Sequence, residues 1–74
     1  MFKKLKLKKK IKFYRKQIEL IEKKRARSQA ALVEAILMQT TPSDKDVDYF
    51  NNYTQQINQI RDIMHSLQKE LENL

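Results

Sequence analysis

The chain has 74 residues, contains no cysteine and no glycine, and carries a formal net charge of +7. Its length allows one domain, the missing cysteines exclude a disulfide framework and a thiolate metal site, and the missing glycines exclude every glycine-rich phosphate-binding loop. The composition predicts an all-α protein built from two long helices.

The charge is divided unevenly along the chain. Residues 1–29 contain thirteen Lys and Arg against two acids, which gives +11, and residues 30–74 contain three against seven, which gives −4. The first sixteen residues hold nine cations and no carboxylate. This division predicts that the N-terminal part contacts a polyanion. The rest of the chain is expected to pair with the N-terminal part or to position it.

A basic arm is the first predicted element. We define it as residues 1–10, either frayed or a helical extension, followed by a hairpin of residues 11–74. Cations bind phosphates without reading base sequence, and lysine acts as a point charge rather than a bidentate reader, so we expect non-sequence-specific binding to DNA or RNA. The predicted contacts lie in the arm and in the adjoining first turns of the hairpin, where rings at Phe13 and Tyr14 can stack on bases. They are Lys3, Lys4, Lys6, Lys8, Lys9, Lys10, Lys12, Arg15 and Lys16.

The N-terminal segment does not have the pattern of a signal peptide. Residues 11–21 are interrupted by charged and polar side chains, and no apolar run approaches the roughly 18 residues of a membrane span. We therefore expect a cytoplasmic protein. An anionic membrane surface is a less favoured partner for the arm, because Leu5 and Leu7 point about 200° apart on a helix.

Helix 1 is predicted over about residues 4–39, with two polar residues, Arg25 and Ser28, in its apolar seam. A polar seam residue commonly fixes register or oligomeric state, and Asp62 is a candidate partner for Arg25. The alternative is that Arg25 joins a second basic patch. The seam is Leu7, Ile11, Tyr14, Ile18, Ile21, Arg25, Ser28, Leu32 and Ala35, and the second basic patch is Lys23, Lys24 and Arg27.

The end of helix 1 is apolar on several faces. One partner helix covers one face, so the sequence predicts that a homodimer or a partner protein buries the remaining side chains. The alternative is that Val47, Tyr49 and Phe50 wrap around this end. The predicted interface, which we call the apolar end, is Val33, Ile36, Leu37 and Met38.

A turn is predicted at about residues 40–43 and helix 2 at about residues 44–73. Pro42 cannot continue a helix, and two capping arrangements are available, one with Thr41 as N-cap and one with Ser43 and Asp46. Helix 2 then repeats apolar residues at spacings of three and four, which is a heptad seam. This seam is Phe50, Tyr53, Ile57, Ile60, Met64, Leu67, Leu71 and Leu74.

The two seams predict an antiparallel hairpin with coiled-coil-like packing that dimerises into a helical bundle. If the chain reverses at Pro42 and Ser43, the residue numbers of any two residues that face each other add up to about 85. Residues 1–10 then have no facing residue in helix 2. The predicted facing pairs include Ile57 with Ser28, Ile60 with Arg25, Met64 with Ile21, Leu67 with Ile18, Leu71 with Tyr14, and Leu74 with Ile11.

No catalytic or metal-binding constellation is visible. His65 is the single histidine, and the alternating Asp44, Asp46 and Asp48 lack the glycine and distal glutamate of a calcium loop. We therefore expect neither an enzyme nor a cofactor. The expected function is nucleic-acid binding by the arm with self-association through the apolar end. The alternatives are an adaptor or regulatory subunit that docks onto partner helices and a peripheral binder of anionic membranes.

Overall fold

The computed structural model describes residues 2–74 and confirms the predicted all-α hairpin. Helix α1 spans Phe2–Leu37 and helix α2 spans Asp44–Glu72, and the two pack against each other. The molecule is a rod of 57 × 15 × 14 Å with a radius of gyration of 16.8 Å. A compact domain of this length has a radius of gyration of about 11 Å, so a single interface between two helices holds this fold together.

Ser43 begins α2 as its N-cap. Its Oγ accepts a hydrogen bond of 3.1 Å from the backbone N–H of Asp46, and its φ and ψ of −67° and 145° are extended. Asp44 and Asp46 place carboxylates in the first turn, where their negative charge interacts favourably with the positive end of the helix dipole. Of the two predicted capping arrangements, the structure has the one at Ser43, so Pro42 precedes the helix.

A Schellman turn ends α1 at Leu37, two residues before the predicted end. The backbone N–H of Thr40 donates to the carbonyl of Ala35 at 2.9 Å, and the N–H of Gln39 donates to that of Ile36 at 3.0 Å. Gln39 has a φ of 56°, in the left-handed region that glycine usually occupies at this position. The sequence contains no glycine to mark this end of the helix.

The register of the hairpin differs from the prediction by one heptad. Two ion pairs join the helices: Glu22 with Arg61, whose numbers total 83, and Lys3 with Glu70, whose numbers total 73. The facing register lies midway, at about 78 rather than 85. The pairing predicted from the sequence is therefore wrong by seven residues, or about 10 Å along the helices. The corrected levels place Leu7 with Leu71, Ile11 with Leu67, Tyr14 with Met64, Ile18 with Ile60, and Ile21 with Ile57.

This shift explains why Leu7 is buried. Among residues 2–74 the buried apolar side chains are Leu7, Ile11 and Ile57, and Ile57 is fully enclosed with no exposed surface. Leu7 lies in the segment predicted to be unpaired, but the C-terminal turns of α2 reach its level. Residues 2–10 are regular helix, and α1 extends beyond α2 by about one turn at this end. Met1, the first residue of the predicted arm, lies outside the described residues.

Candidate nucleic-acid interface

The nine predicted phosphate contacts are all exposed, and they lie on one continuous helix. Successive residues of a helix point about 100° apart, so Lys8, Lys9 and Lys10 project in three different directions. Residues 3–16 span about 20 Å along the axis. The cations therefore surround the solvent-facing sides of α1 rather than forming one face, an arrangement that can meet phosphates from several directions.

Little carboxylate charge opposes these cations. In the described part of the chain, the one ion pair that involves a predicted phosphate contact joins Lys3 Nζ to Glu70 Oε1 at 3.9 Å. Both side chains are largely exposed, with 68% and 49% of their surface accessible, so water and salt screen this pair. The other eight cations form no ion pair within residues 2–74, and their charge is available to a ligand.

A line of lysines along α1 connects the second basic patch with the nine predicted phosphate contacts. Lys23, Lys24 and Arg27 are exposed. Lys9, Lys16 and Lys23 recur every seven residues and are all exposed, so they follow one another along α1 at intervals of about 10 Å. The heptad analysis of the seam did not predict this continuity, although the seven-residue spacing was present in the sequence.

Arg25 and Ser28 are both half-buried, consistent with their positions in the seam. At the observed register they lie level with Tyr53 and Phe50. The predicted partner Asp62 is exposed and lies level with Lys16 instead, about 13 Å along the axis from Arg25. The interhelical ion pair nearest to this layer joins Arg61 Nη2 to Glu22 Oε1 at 3.4 Å. The prediction of Asp62 as a partner was wrong because the register was wrong.

The apolar end is exposed. Val33, Ile36, Leu37 and Met38 retain 46%, 66%, 79% and 69% of their accessible surface. At the observed register α2 begins level with Glu34, so the last turn of α1 projects beyond its partner helix.

The three aromatic and aliphatic side chains expected as a possible cover do not bury this end. Val47 and Tyr49 are themselves exposed, and Phe50 is half-buried. Tyr49 stacks on Tyr53 with ring centroids 6.3 Å apart and 15° between the ring planes. Tyr49 therefore packs along α2, and the side chains of the apolar end remain exposed.

A groove between the helices brings cations beside an exposed aromatic ring. It has a volume of about 340 Å³ and is lined by Lys9, Lys10, Phe13, Tyr14, Ile63 and Leu67. Sequence reasoning noted Phe13 among the lysines but missed Ile63. Both residues are apolar but lie outside the a and d positions of their heptads, and this pattern could have identified them.

Three further findings bear on function. Neither described helix contains a stretch long and apolar enough to cross a membrane. Residues 2–74 contain no group of three or more His, Cys, Asp or Glu side chains that could hold a metal ion, and His65 lines a shallow groove beside Ile18 and Met64. Comparison of the chain with protein-family models, with curated proteins and with solved structures found no match.

Proposed function

We propose that this protein is a small, non-enzymatic nucleic-acid-binding protein that contacts phosphates through the N-terminal half of α1. The observation that carries the proposal is the set of nine exposed cations within residues 3–16, a segment without a carboxylate. Eight of the nine are lysines. Point charges distributed around a helix supply affinity without base recognition, so the binding is not sequence-specific.

Counterion release sets the expected salt dependence. If about five of the nine cations contact phosphates of a duplex, the logarithm of the affinity falls with the logarithm of salt concentration at a slope of about −4.5. Raising the salt from about 50 to about 200 mM then weakens binding roughly 500-fold. A ligand held mainly by apolar contacts lacks this dependence.

The experiment compares two double variants of equal net charge by fluorescence anisotropy over a salt series. Lys8→Gln with Lys12→Gln removes two exposed cations from the predicted interface, and Lys45→Gln with Lys69→Gln removes two exposed cations from α2. The first variant is expected to reduce the slope by about two, because each lost phosphate contact reduces it by about one. The second should leave the slope unchanged. Equal slopes for both variants would contradict the proposal.

The proposal includes self-association of two hairpins through the apolar end. Residues 28–43 carry a single charge, at Glu34, so two copies can approach there without strong repulsion. The opposite ends carry dense positive charge and repel each other. The few buried side chains of one hairpin also favour additional burial. Two hairpins that meet through their projecting turns keep their basic segments far apart.

Sedimentation over a range of protein concentrations tests this part of the proposal. Leu37→Glu is expected to give a monomer, and Leu5→Glu, a change of an exposed leucine at the opposite end, should leave the dimer intact. If the unmodified protein is monomeric throughout, self-association is wrong. The apolar end would then favour the adaptor function, in which partner helices occupy the same side chains.

A further inference from the structure

The groove beside Phe13 has features that phosphate binding alone does not require. Phe13 lies outside the hairpin seam, and 56% of its surface is exposed in a segment that is otherwise mostly cationic. Tyr14 meets it edge to face, with ring centroids 5.4 Å apart and 72° between the ring planes. Tyr14 belongs to the seam and is half-buried, so this contact places the Phe13 ring against the body of the hairpin.

Cations and apolar side chains line the same groove. Lys9 and Lys10 come from α1, and Ile63 and Leu67 come from α2. The groove is open to solvent and has a volume of about 340 Å³. A planar, apolar group that carries negative charge beside it matches this lining in both shape and charge.

We infer that the nucleic acid is single-stranded and that an unpaired base stacks on Phe13 while its neighbouring phosphates meet Lys9 and Lys10. This inference rests on the proposed function and names its substrate class. Non-specific single-strand sites combine a cationic track with aromatic rings on which bases stack. Bases inside a duplex are already stacked and reach such a ring only after extrusion, so a duplex contacts the lysines alone.

The distribution of charge argues against an anionic lipid surface as the occupant. A helix that lies in a membrane interface segregates its cations from a broad apolar face. Residues 3–16 of α1 instead carry exposed cations on every solvent-facing side, including Lys8, Lys9 and Lys10 in succession. The exposed apolar side chains of the segment, Phe2, Leu5 and Phe13, are interspersed among these cations and do not form a broad apolar face.

Phe13→Leu tests the inference, because leucine keeps an apolar side chain and removes the planar ring. Phe2→Leu is a matched control, since Phe2 is an exposed phenylalanine in the same cationic segment that does not line the groove. Binding of the full chain to an oligothymidine and to a duplex of equal length is measured by fluorescence anisotropy at one salt concentration. Circular dichroism verifies that each variant stays helical.

The unmodified protein is expected to bind the single strand more tightly than the duplex. Phe13→Leu should weaken single-strand binding at least about fivefold, the lower limit for loss of one base stack, and should leave duplex binding unchanged. Phe2→Leu should change neither affinity. Equal losses for the two leucine variants, or for the two nucleic acids, would overturn the inference.

Failure of the inference can be distinguished from failure of the proposed function. If Phe13→Leu has no effect while Lys8→Gln with Lys12→Gln still reduces the salt slope, base stacking is wrong and phosphate binding stands. If the lysine variant also binds normally, the proposed function itself is wrong. Vesicles of phosphatidylcholine with phosphatidylglycerol provide the lipid comparison. Tighter binding to these vesicles than to oligothymidine, lost in Phe13→Leu, would assign the groove to lipid.

Discussion

Replacing Ile57 by alanine is expected to remove most of the stability of the hairpin. Ile57 is the side chain with no exposed surface, and it lies near the middle of α2, level with Ile21. The substitution deletes three carbon atoms, which at about 0.8 kcal/mol each accounts for about 2.4 kcal/mol before any cavity is counted. With the cavity included, the loss should be about 3 kcal/mol. A single core of this size rarely stabilises a fold by more than about 3 to 5 kcal/mol.

Urea unfolding followed by circular dichroism at 222 nm measures this loss, with each protein examined at two concentrations to detect coupling to self-association. A loss of about 3 kcal/mol also predicts a fall of roughly 12–24 °C in the thermal midpoint. Ile63→Ala is the matched control, because it changes the same residue type in the same helix at a position that is 43% exposed. Its cost should be below about 1 kcal/mol, since less apolar surface is lost and alanine favours the helix.

Two outcomes of the comparison between Ile57→Ala and Ile63→Ala would contradict the expected role of Ile57. If Ile63→Ala costs as much as Ile57→Ala, the interface between the helices does not run through the Ile57 layer. If Ile57→Ala costs less than about 1 kcal/mol, the single hairpin is not the unit that folds. In that case, burial between copies would dominate stability, and the midpoint would depend strongly on protein concentration.

Four further substitutions test the hairpin by urea unfolding. Leu7→Ala should cost about 2 kcal/mol and Leu5→Ala less than about 1, because Leu7 is buried and Leu5 is exposed; equal costs would mean that the N-terminal turns are frayed. Gln39→Gly should stabilise the protein by about 0.5–1 kcal/mol, because glycine adopts the positive φ of this position without the steric cost that glutamine has. A loss of stability would contradict the Schellman turn. Arg25→Leu should stabilise the hairpin by about 1 kcal/mol, whereas weakened nucleic-acid binding at unchanged stability would assign Arg25 to the second basic patch.

Local signals in the sequence were sufficient for the two helices and for the start of α2. Pro42 prevents helix continuation, and the Ser43 side chain together with the following acids specifies where α2 begins, because these effects act within one turn of the chain. The heptad of α2 likewise identified Ile57 as a seam residue. The exposure of the nine cations in residues 3–16 was predictable as well, because none of them belongs to the predicted seam of helix 1.

The end of α1 was less predictable, since its signal is weak. A glycine would have marked the Schellman turn, but Gln39 adopts the left-handed conformation here. Helix propensity alone places no stop before Pro42. The difference of two residues helps to determine where the chain reverses and which side chains of the apolar end project beyond α2.

The register was decided by the tertiary structure. A seam repeats every seven residues, so sliding α2 by one heptad again places a positions against d positions, and the apolar pattern does not distinguish the two arrangements. The geometry of the turn selects one of them. That choice buries Leu7 and moves Asp62 away from Arg25. It also brings Ile63 beside Phe13 to form the groove, a neighbour relation between residues fifty positions apart that no local pattern encodes.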